Sequence, residues 1–556
     1  MSSRQVLFWI FAALVVVKLS LSFFVATPTI YSDEYLYAKL ARSLYVDSSY
    51  AVHGVLLNGY PPLYPLLLSL TYFFDDMSLI YFFMKLLNAI LSSLIIFPAY
   101  FFSRIFVSSK ESTWFALLIG VLPSSFAYTP YLLSENVFFV LFFTTVYFLF
   151  RASTQHYFMD YLWTGVFLGL TLLTKASGLI LFPLFAILFF RALYRRSAEE
   201  TGLLIFSGLV AALLYVPWFL YTTANFGLSF SGLLGNSYSA ELTNVVEHSL
   251  FFLFKNGIIW TILYLGVFIW SSALLFFLGS WFFFRRAASP LHKELLFFFC
   301  ILFVTVLFFV VNHNLHGVVK EDNFLALSGR PIARYTDLLL PLLFLTGFLG
   351  LKSQKKLLTK SFIAPILILL LSLPLFFYTL LPVNNLSLTW LGTVQTAALL
   401  FSSSAFFLSF VYVLLLIVFS FLVIFLVHTL SLSKLLPLFC GFFLAVSLLS
   451  FGATIYNSQV NWYPLEQVQL GLWLKDHIPE DVRIVIDADF CTSLSVSDAT
   501  SLCSSTGHTT LLGFWVNHDL IISETPQPGD YFISRDITSY LPQYATENHI
   551  YVYKVP

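Results

Sequence analysis

Charge is what this chain has least of. Asp, Glu, Lys and Arg make up 10% of its 556 residues, against about 25% in an average soluble protein. The two signs balance at 28 each, so nothing points to nucleic-acid binding. Cysteine is scarce as well: Cys300 and Cys440 lie in apolar segments, and Cys491 and Cys503 in the polar C-terminal part. No small-residue cleavage site follows the first apolar run, from about Leu7 to Thr27, which reads as a retained first helix. What is abundant is apolar: 59% hydrophobic residues, 19% aromatic, and a mean hydropathy of +0.86. This is a polytopic membrane protein.

Segments long enough to span a bilayer recur roughly thirteen times by the criterion of about 20 residues. Lys and Arg orient them. Fifteen of the 28 basic residues fall in one alternate set of short loops, including Arg4, Arg104, Arg191, Arg285, Lys352 and Lys434. The opposite loops hold seven: Lys39, Arg42, Lys175, Lys255, Lys320, Arg330 and Arg334. That bias puts the N-terminus in the cytoplasm, and an odd number of spans puts the C-terminus outside, as expected of a protein of the cell membrane. The expected organisation is a membrane domain over 1–457 with large outer loops at 27–78, 222–256 and 312–334. A small extracytoplasmic α/β domain over 458–556 follows.

The chemistry-bearing residues collect on the outer side. Asp33 and Glu34 stand together just past the first span, opening an amphipathic helix with Leu36, Leu40 and Leu44 on one face and Lys39 and Arg42 on another. Acidic groups at a helix start also suit the macrodipole. Tyr60-Pro-Pro-Leu-Tyr-Pro65 opens an apolar run, Leu63–Phe74, too short to span and expected to be re-entrant or interfacial, with both prolines at its first turn. Glu135 opens the fourth helix, as a cap or as a site residue. Lys175, between the fifth and sixth helices, is placed to snorkel or to hold an anionic headgroup. The loop 312–334 concentrates His313, His316, Arg330 and Arg334, next to Tyr335. The His-x-x-His pair is a weak metal candidate, whereas a guanidinium fork suits phosphate.

In the tail, a helix is expected at Pro464–Asp476, then strands at Val482–Ile486, Tyr531–Ser534 and Ile550–Tyr553, with a turn at Gly529-Asp530. Cys491 and Cys503 sit a dozen residues apart on an oxidising side, where a disulfide is one outcome and two free thiols the other.

In this order the motifs resemble those of the GT-C class of membrane glycosyltransferases, nearest the protein O-mannosyltransferase (family 39) and lipid A aminoarabinose transferase group. The residues that carry the resemblance are Asp33-Glu34-x-x-Tyr37-Ala38, Tyr60-Pro-Pro, Ser134-Glu135-Asn136, Leu173-Thr-Lys175, Arg334-Tyr335…Pro341 and the tail phrase Trp473–Pro479. The resemblance implies a GT-C-like helical fold and transfer, with inversion, of a monosaccharide from a polyprenyl phosphate (dolichyl or undecaprenyl) to an acceptor on the outer face. It makes Asp33 the general base, with Glu34 beside it, and Arg334, Arg330 and Lys175 the holders of the donor phosphate. Tyr37, Tyr60, Glu135 and Tyr335 are the candidates for contact with sugar or acceptor. No cofactor is required by this scheme. Two departures stand out: Gly59 and Tyr60 replace the acidic-basic pair that aminoarabinose transferases carry before the proline, and the Trp-Trp-Asp signature of oligosaccharyltransferases is absent. The competing class is a transporter or flippase of lipid-linked sugars, for which ionisable groups inside spans are the signature; Lys18 and Lys85 are the residues in point.

Overall fold

The computed structural model describes residues 2–28, 32–228, 249–286, 289–315, 333–352, 432–479, 482–487, 508–517, 520–522, 525–534, 542–546 and 550–556, with five isolated positions between 414 and 425. The helices are α1 Ser3–Phe23, α2 Ser32–Val46, α3 Leu63–Ser69, α4 Met77–Ser93, α5 Ile96–Arg104, α6 Ser109–Val121, α7 Pro123–Phe126, α8 Glu135–Gln155 and α9 Phe158–Thr174. After them come α10 Phe182–Tyr194, α11 Ala198–Phe226, α12 Leu250–Ser271, α13 Leu275–Arg286, α14 Pro290–Leu315, α15 Leu340–Lys352, α16 Leu432–Tyr456, α17 Glu466–His477 and α18 His508–Trp515. Among the described residues eight helical stretches are long and apolar enough to cross a membrane. The other expected spans fall largely in 353–431, outside the described residues, so the number thirteen is not counted here.

The chain divides into two compact units, one of Met1–Leu14, Leu91–Tyr128 and Val137–Ala453, the other of Val15–Ile90, Thr129–Asn136 and Thr454–Pro556. The first is a helical membrane body held by close backbone approach. A methyl at Gly347 of α15 would fall on the carbonyl of Phe276 in α13, and one at Gly350 on the carbonyl of Gly279. Ser280 and Thr346 hydrogen-bond across the same crossing at 2.8 Å. Gly165 and Gly169 of α9 likewise lie against Ser207 and Ala211 of α11. With lipid as solvent there is no hydrophobic drive between helices, and small residues that let backbones meet are the usual answer. At one end, Ser108 and Glu111 form a capping box on α6, and Glu111 also pairs with Lys352 at 2.8 Å.

The second unit carries the acidic helix α2, a short hairpin, α3 and the tail. In the hairpin β1 (Ala51–Val52) pairs with β2 (Val55–Leu56). His53 and Gly54 turn between them with φ of 50° and 78°, the left-handed pair a two-residue hairpin demands. The tail builds a five-stranded sheet from β3 (Ile484–Ile486), β4 (Leu520–Ile522), β5 (Tyr531–Ser534), β6 (Pro542–Ala545) and β7 (Tyr551–Lys554), in the order β4-β3-β5-β7-β6. β3 runs parallel to β4 and β5, and β7 antiparallel to β5 and β6. Val485, Phe532, Tyr553 and Val555 form its core.

Several expectations move. Pro62 caps α3 from outside, so the two prolines precede the first turn instead of occupying it. The broad loop 222–256 narrows, because α11 runs on to Phe226 and α12 starts at Leu250. The loop 312–334 likewise starts later, since Asn312 and His313 belong to the last turn of α14. Cys491, Cys503, His316 and Arg330 lie outside the described residues.

Candidate active site

Each unit holds one cluster of the residues singled out above. In the second unit, α2 begins at Ser32 and places Asp33 and Glu34 in its first turn. Their surroundings differ sharply. Glu34 is 1% exposed, and its carboxylate accepts the backbone N–H of Leu132 at 2.9 Å. Asp33 is only half-buried and accepts from the Tyr60 hydroxyl at 2.9 Å.

One helical turn on from Asp33, Tyr37 stands edge-on to Tyr60 and to Tyr64, with centroids 5.1 and 4.9 Å away. Its hydroxyl donates to Ser134 Oγ at 3.0 Å, and Ser134 lies 3.5 Å from the carboxylate of the buried Glu135. Burial first, then the charges of Asp33 and Glu135, hold the Tyr37 phenol well above its ordinary pKa. It is therefore a permanent donor.

The turn 131–136 that meets α2 is itself fixed by amides. Asn88 and Asn136 both donate to the Tyr131 carbonyl at 2.9 Å, and Tyr64 donates to Asn88 at 3.0 Å. Sequence reading named Asp33, Glu34, Tyr37, Tyr60 and Glu135 as site residues, quoted Tyr64 and Ser134 only within their motifs, and missed Asn88. Tyr64 was visible in the Tyr-Pro-Pro-Leu-Tyr phrase. Asn88, midway along an apolar helix, was an unread signal, because a buried amide there needs partners.

In the first unit, Tyr335 gathers positive charge. The Lys175 ammonium and the Arg334 guanidinium each stand 5.6 Å from its ring centroid, and the His313 ring is edge-on at 5.7 Å. Lys175 caps the end of α9 in extended conformation and is buried. It does not snorkel to a surface. Two residues past Tyr335 sits an acid the sequence reading passed over: buried Asp337, whose carboxylate lies 3.5 Å from the Tyr128 hydroxyl. Among the described residues no group of three His, Cys, Asp or Glu side chains is placed to hold a metal ion.

Residues 8–233 match the family model for dolichyl-phosphate-mannose-protein mannosyltransferase. The structure superposes on that of ArnT from Cupriavidus metallidurans bound to undecaprenyl phosphate with a TM-score of 0.58 at 14% identity, covering 94% of this chain and 86% of that one. The two chains share a fold. Against the apo form of the same ArnT the TM-score is 0.52, again at 14% identity and with 94% and 86% coverage. The archaeal oligosaccharyltransferase AglB from Archaeoglobus fulgidus, in complex with an inhibitory peptide and a dolichol-phosphate, gives 0.45 at 12% identity over 92% of this chain and 64% of that one. No curated protein matches by sequence. Most of the residues named above (Asp33, Tyr37, Tyr60, Glu135 and Lys175) lie inside the matched stretch, while Arg334 and Tyr335 lie beyond it.

Proposed function

We propose that this chain is a membrane glycosyltransferase of the GT-C class that moves a monosaccharide from a polyprenyl-phosphate donor to a hydroxyl or amine of an acceptor on the outer face of the membrane, with inversion. Asp33 takes the acceptor proton as the nucleophile attacks the anomeric carbon. The bond from that carbon to the phosphate oxygen breaks, and the polyprenyl phosphate leaves with the electron pair. Lys175 and Arg334 neutralise it, and Arg330 is a further candidate from the sequence. Oriented cations aimed at developing negative charge are the strongest means a site has for this. Tyr37, Tyr60, Glu135 and Tyr335 contact sugar or acceptor. The scheme routes no step through a metal.

The observation that carries the reading is the asymmetry of the acidic doublet. Glu34 is buried and accepts the Leu132 amide, whereas Asp33 accepts the Tyr60 hydroxyl and is only partly buried. An anionic lipid carrier fits the cations around Tyr335, and the ArnT structure of the same fold holds undecaprenyl phosphate. The transporter reading draws less support: only Lys18 and Lys85 stand well inside apolar segments of the sequence, and Lys85 donates to the Val25 carbonyl at 3.0 Å and lies 4.1 Å over the Tyr81 ring. The test is sugar transfer from dolichyl-phosphate-mannose in membranes. Asp33→Asn is expected to lower the rate about 10²- to 10⁴-fold with donor KM unchanged, and Arg334→Ala to raise donor KM. Full activity in the Asn variant removes Asp33 from the base role.

A further inference from the structure

The polar face of α2 is not turned to water. Lys39 is 4% exposed, and its ammonium donates to the carbonyl of Val516. Arg42 Nε lies 3.1 Å from both the backbone and the side-chain oxygen of Asn517. Val516 and Asn517 directly follow α18, where carbonyls lack helical partners and the macrodipole is negative. Two cations of α2 thus cap the C-terminal end of a helix that belongs to the tail.

The packing above this cap is equally close. A methyl on Gly513 of α18 would stand 2.8 Å from both Cε2 and the hydroxyl of Tyr35. The Tyr35 hydroxyl also bonds His53 Nε2 of the hairpin, while Nδ1 of the same ring accepts the N–H of Leu520 in β4 at 2.9 Å. Tyr35, Lys39 and Arg42 are spaced i, i+4 and i+7. At 100° per residue they lie roughly 180° around α2 from Asp33 and Tyr37. One side of the helix carries the base; the opposite side is fastened to α18 and, through His53, to β4.

We propose that Tyr35, Lys39 and Arg42 are positioning residues, and that the tail acts through them to set the rotation of α2 at which Asp33 meets the acceptor. This rests on the reading of Asp33 as general base. Helix α2 has no long span to steady it, and a displacement of about 1 Å in a reacting group costs on the order of 100-fold in rate. A helix whose back is bonded at three points along its length holds both its rotation and its register.

The test uses the full-length chain in detergent-lipid micelles. Three measurements are made on each variant: backbone hydrogen exchange over residues 32–46, thermal unfolding, and transfer from dolichyl-phosphate-mannose with kcat and donor KM separated. Lys39→Met is expected to speed exchange in 32–46 and to lower kcat at least tenfold, with KM within a factor of two. Lys39→Arg, which keeps the cation, restores most of kcat. Gly513→Ala, in which the new methyl displaces Tyr35 while Ala favours the helix, is expected to behave like Lys39→Met.

Unchanged exchange in both Lys39→Met and Gly513→Ala overturns the clamp. Faster exchange with wild-type kcat, or a kcat that falls only in step with the folded fraction, overturns the positioning role. Wild-type kcat in Asp33→Asn, with exchange still raised in the Lys39 and Gly513 variants, overturns the base reading and the positioning role with it, and leaves the clamp standing.

Discussion

Asp33 and Glu34 are neighbours in sequence with opposite fates, and the reason is angular. Adjacent residues on a helix point 100° apart, so Glu34 meets the Leu132 amide and Asp33 the Tyr60 hydroxyl. The sequence shows the doublet but not which member turns inward, because the Leu132 amide that decides it is 98 positions away. Removing each carboxylate should therefore fail differently. Glu34→Ala leaves a buried N–H without its acceptor and is expected to cost roughly 1–3 kcal/mol of stability, read as a lowered unfolding temperature in detergent. Glu34→Gln, whose amide oxygen still accepts, should recover most of that. Asp33→Asn should unfold like the wild type and lose rate alone. A Glu34→Ala variant as stable as the wild type would show that the Leu132 contact contributes nothing to the fold.

At the scale of elements, helix starts were the most legible features. Glu135 and the Ser108-x-x-Glu111 box announce α8 and α6 through residue types that serve orphan N–H groups. Asp76 does the same for α4, accepting from the amides of Ser78 and Leu79 at 2.6 and 2.9 Å and pairing with Lys475 at 3.4 Å. Partial burial works to raise its pKa, but those amide bonds and the lysine together bring it below the ordinary carboxylate value. A folded-state pKa that is depressed gives stability that is fully present above the unfolded value, about 4, and is lost as pH falls through the lower folded one. Asp76→Ala is expected to cost about 1 kcal/mol near pH 6, and the gap to wild type should close as unfolding is followed down toward pH 3. A gap that holds constant with pH would mean that the charge takes no part.

The strands of the tail were less legible. β3, β5 and β7, at the centre of the sheet, show as apolar β-branched and aromatic runs. β4 and β6 are its edges: one has three residues, the other opens with Pro542, and short or proline-bearing strands are what edges tolerate. They carry little of the period-two signal that a sequence reading needs.

For the whole molecule, composition was enough for a membrane protein of many helices. The scarcity of charge leaves only a membrane protein, and the Asp-Glu, Tyr-Pro-Pro, Ser-Glu-Asn and Thr-Lys phrases fall in the stretch that matches a glycosyltransferase family. What could not be read was the back of α2. Lys39 and Arg42 look like a solvated face from sequence, because their partners Val516 and Asn517 offer backbone oxygens that any residue carries. At this scale the expected outcome concerns lipid: protein purified in mild detergent should carry a polyprenyl phosphate, or its sugar-linked form, identified by mass spectrometry of the extracted lipid. Depletion of that lipid in Arg334→Ala would tie it to the cations around Tyr335. Equal amounts in both would place its anchor elsewhere.

The bond between Lys39 and Val516 joins residues 477 positions apart. At a synthesis rate of roughly 5–20 residues per second, a ribosome needs about 25–95 s to travel between them. During that interval the nascent chain already carries its acidic doublet, but nothing yet exists to bolt the helix in place. If the tail sets the rotation of α2 as proposed, a polypeptide cut short before Val516 would carry Asp33 without the bonds that position it.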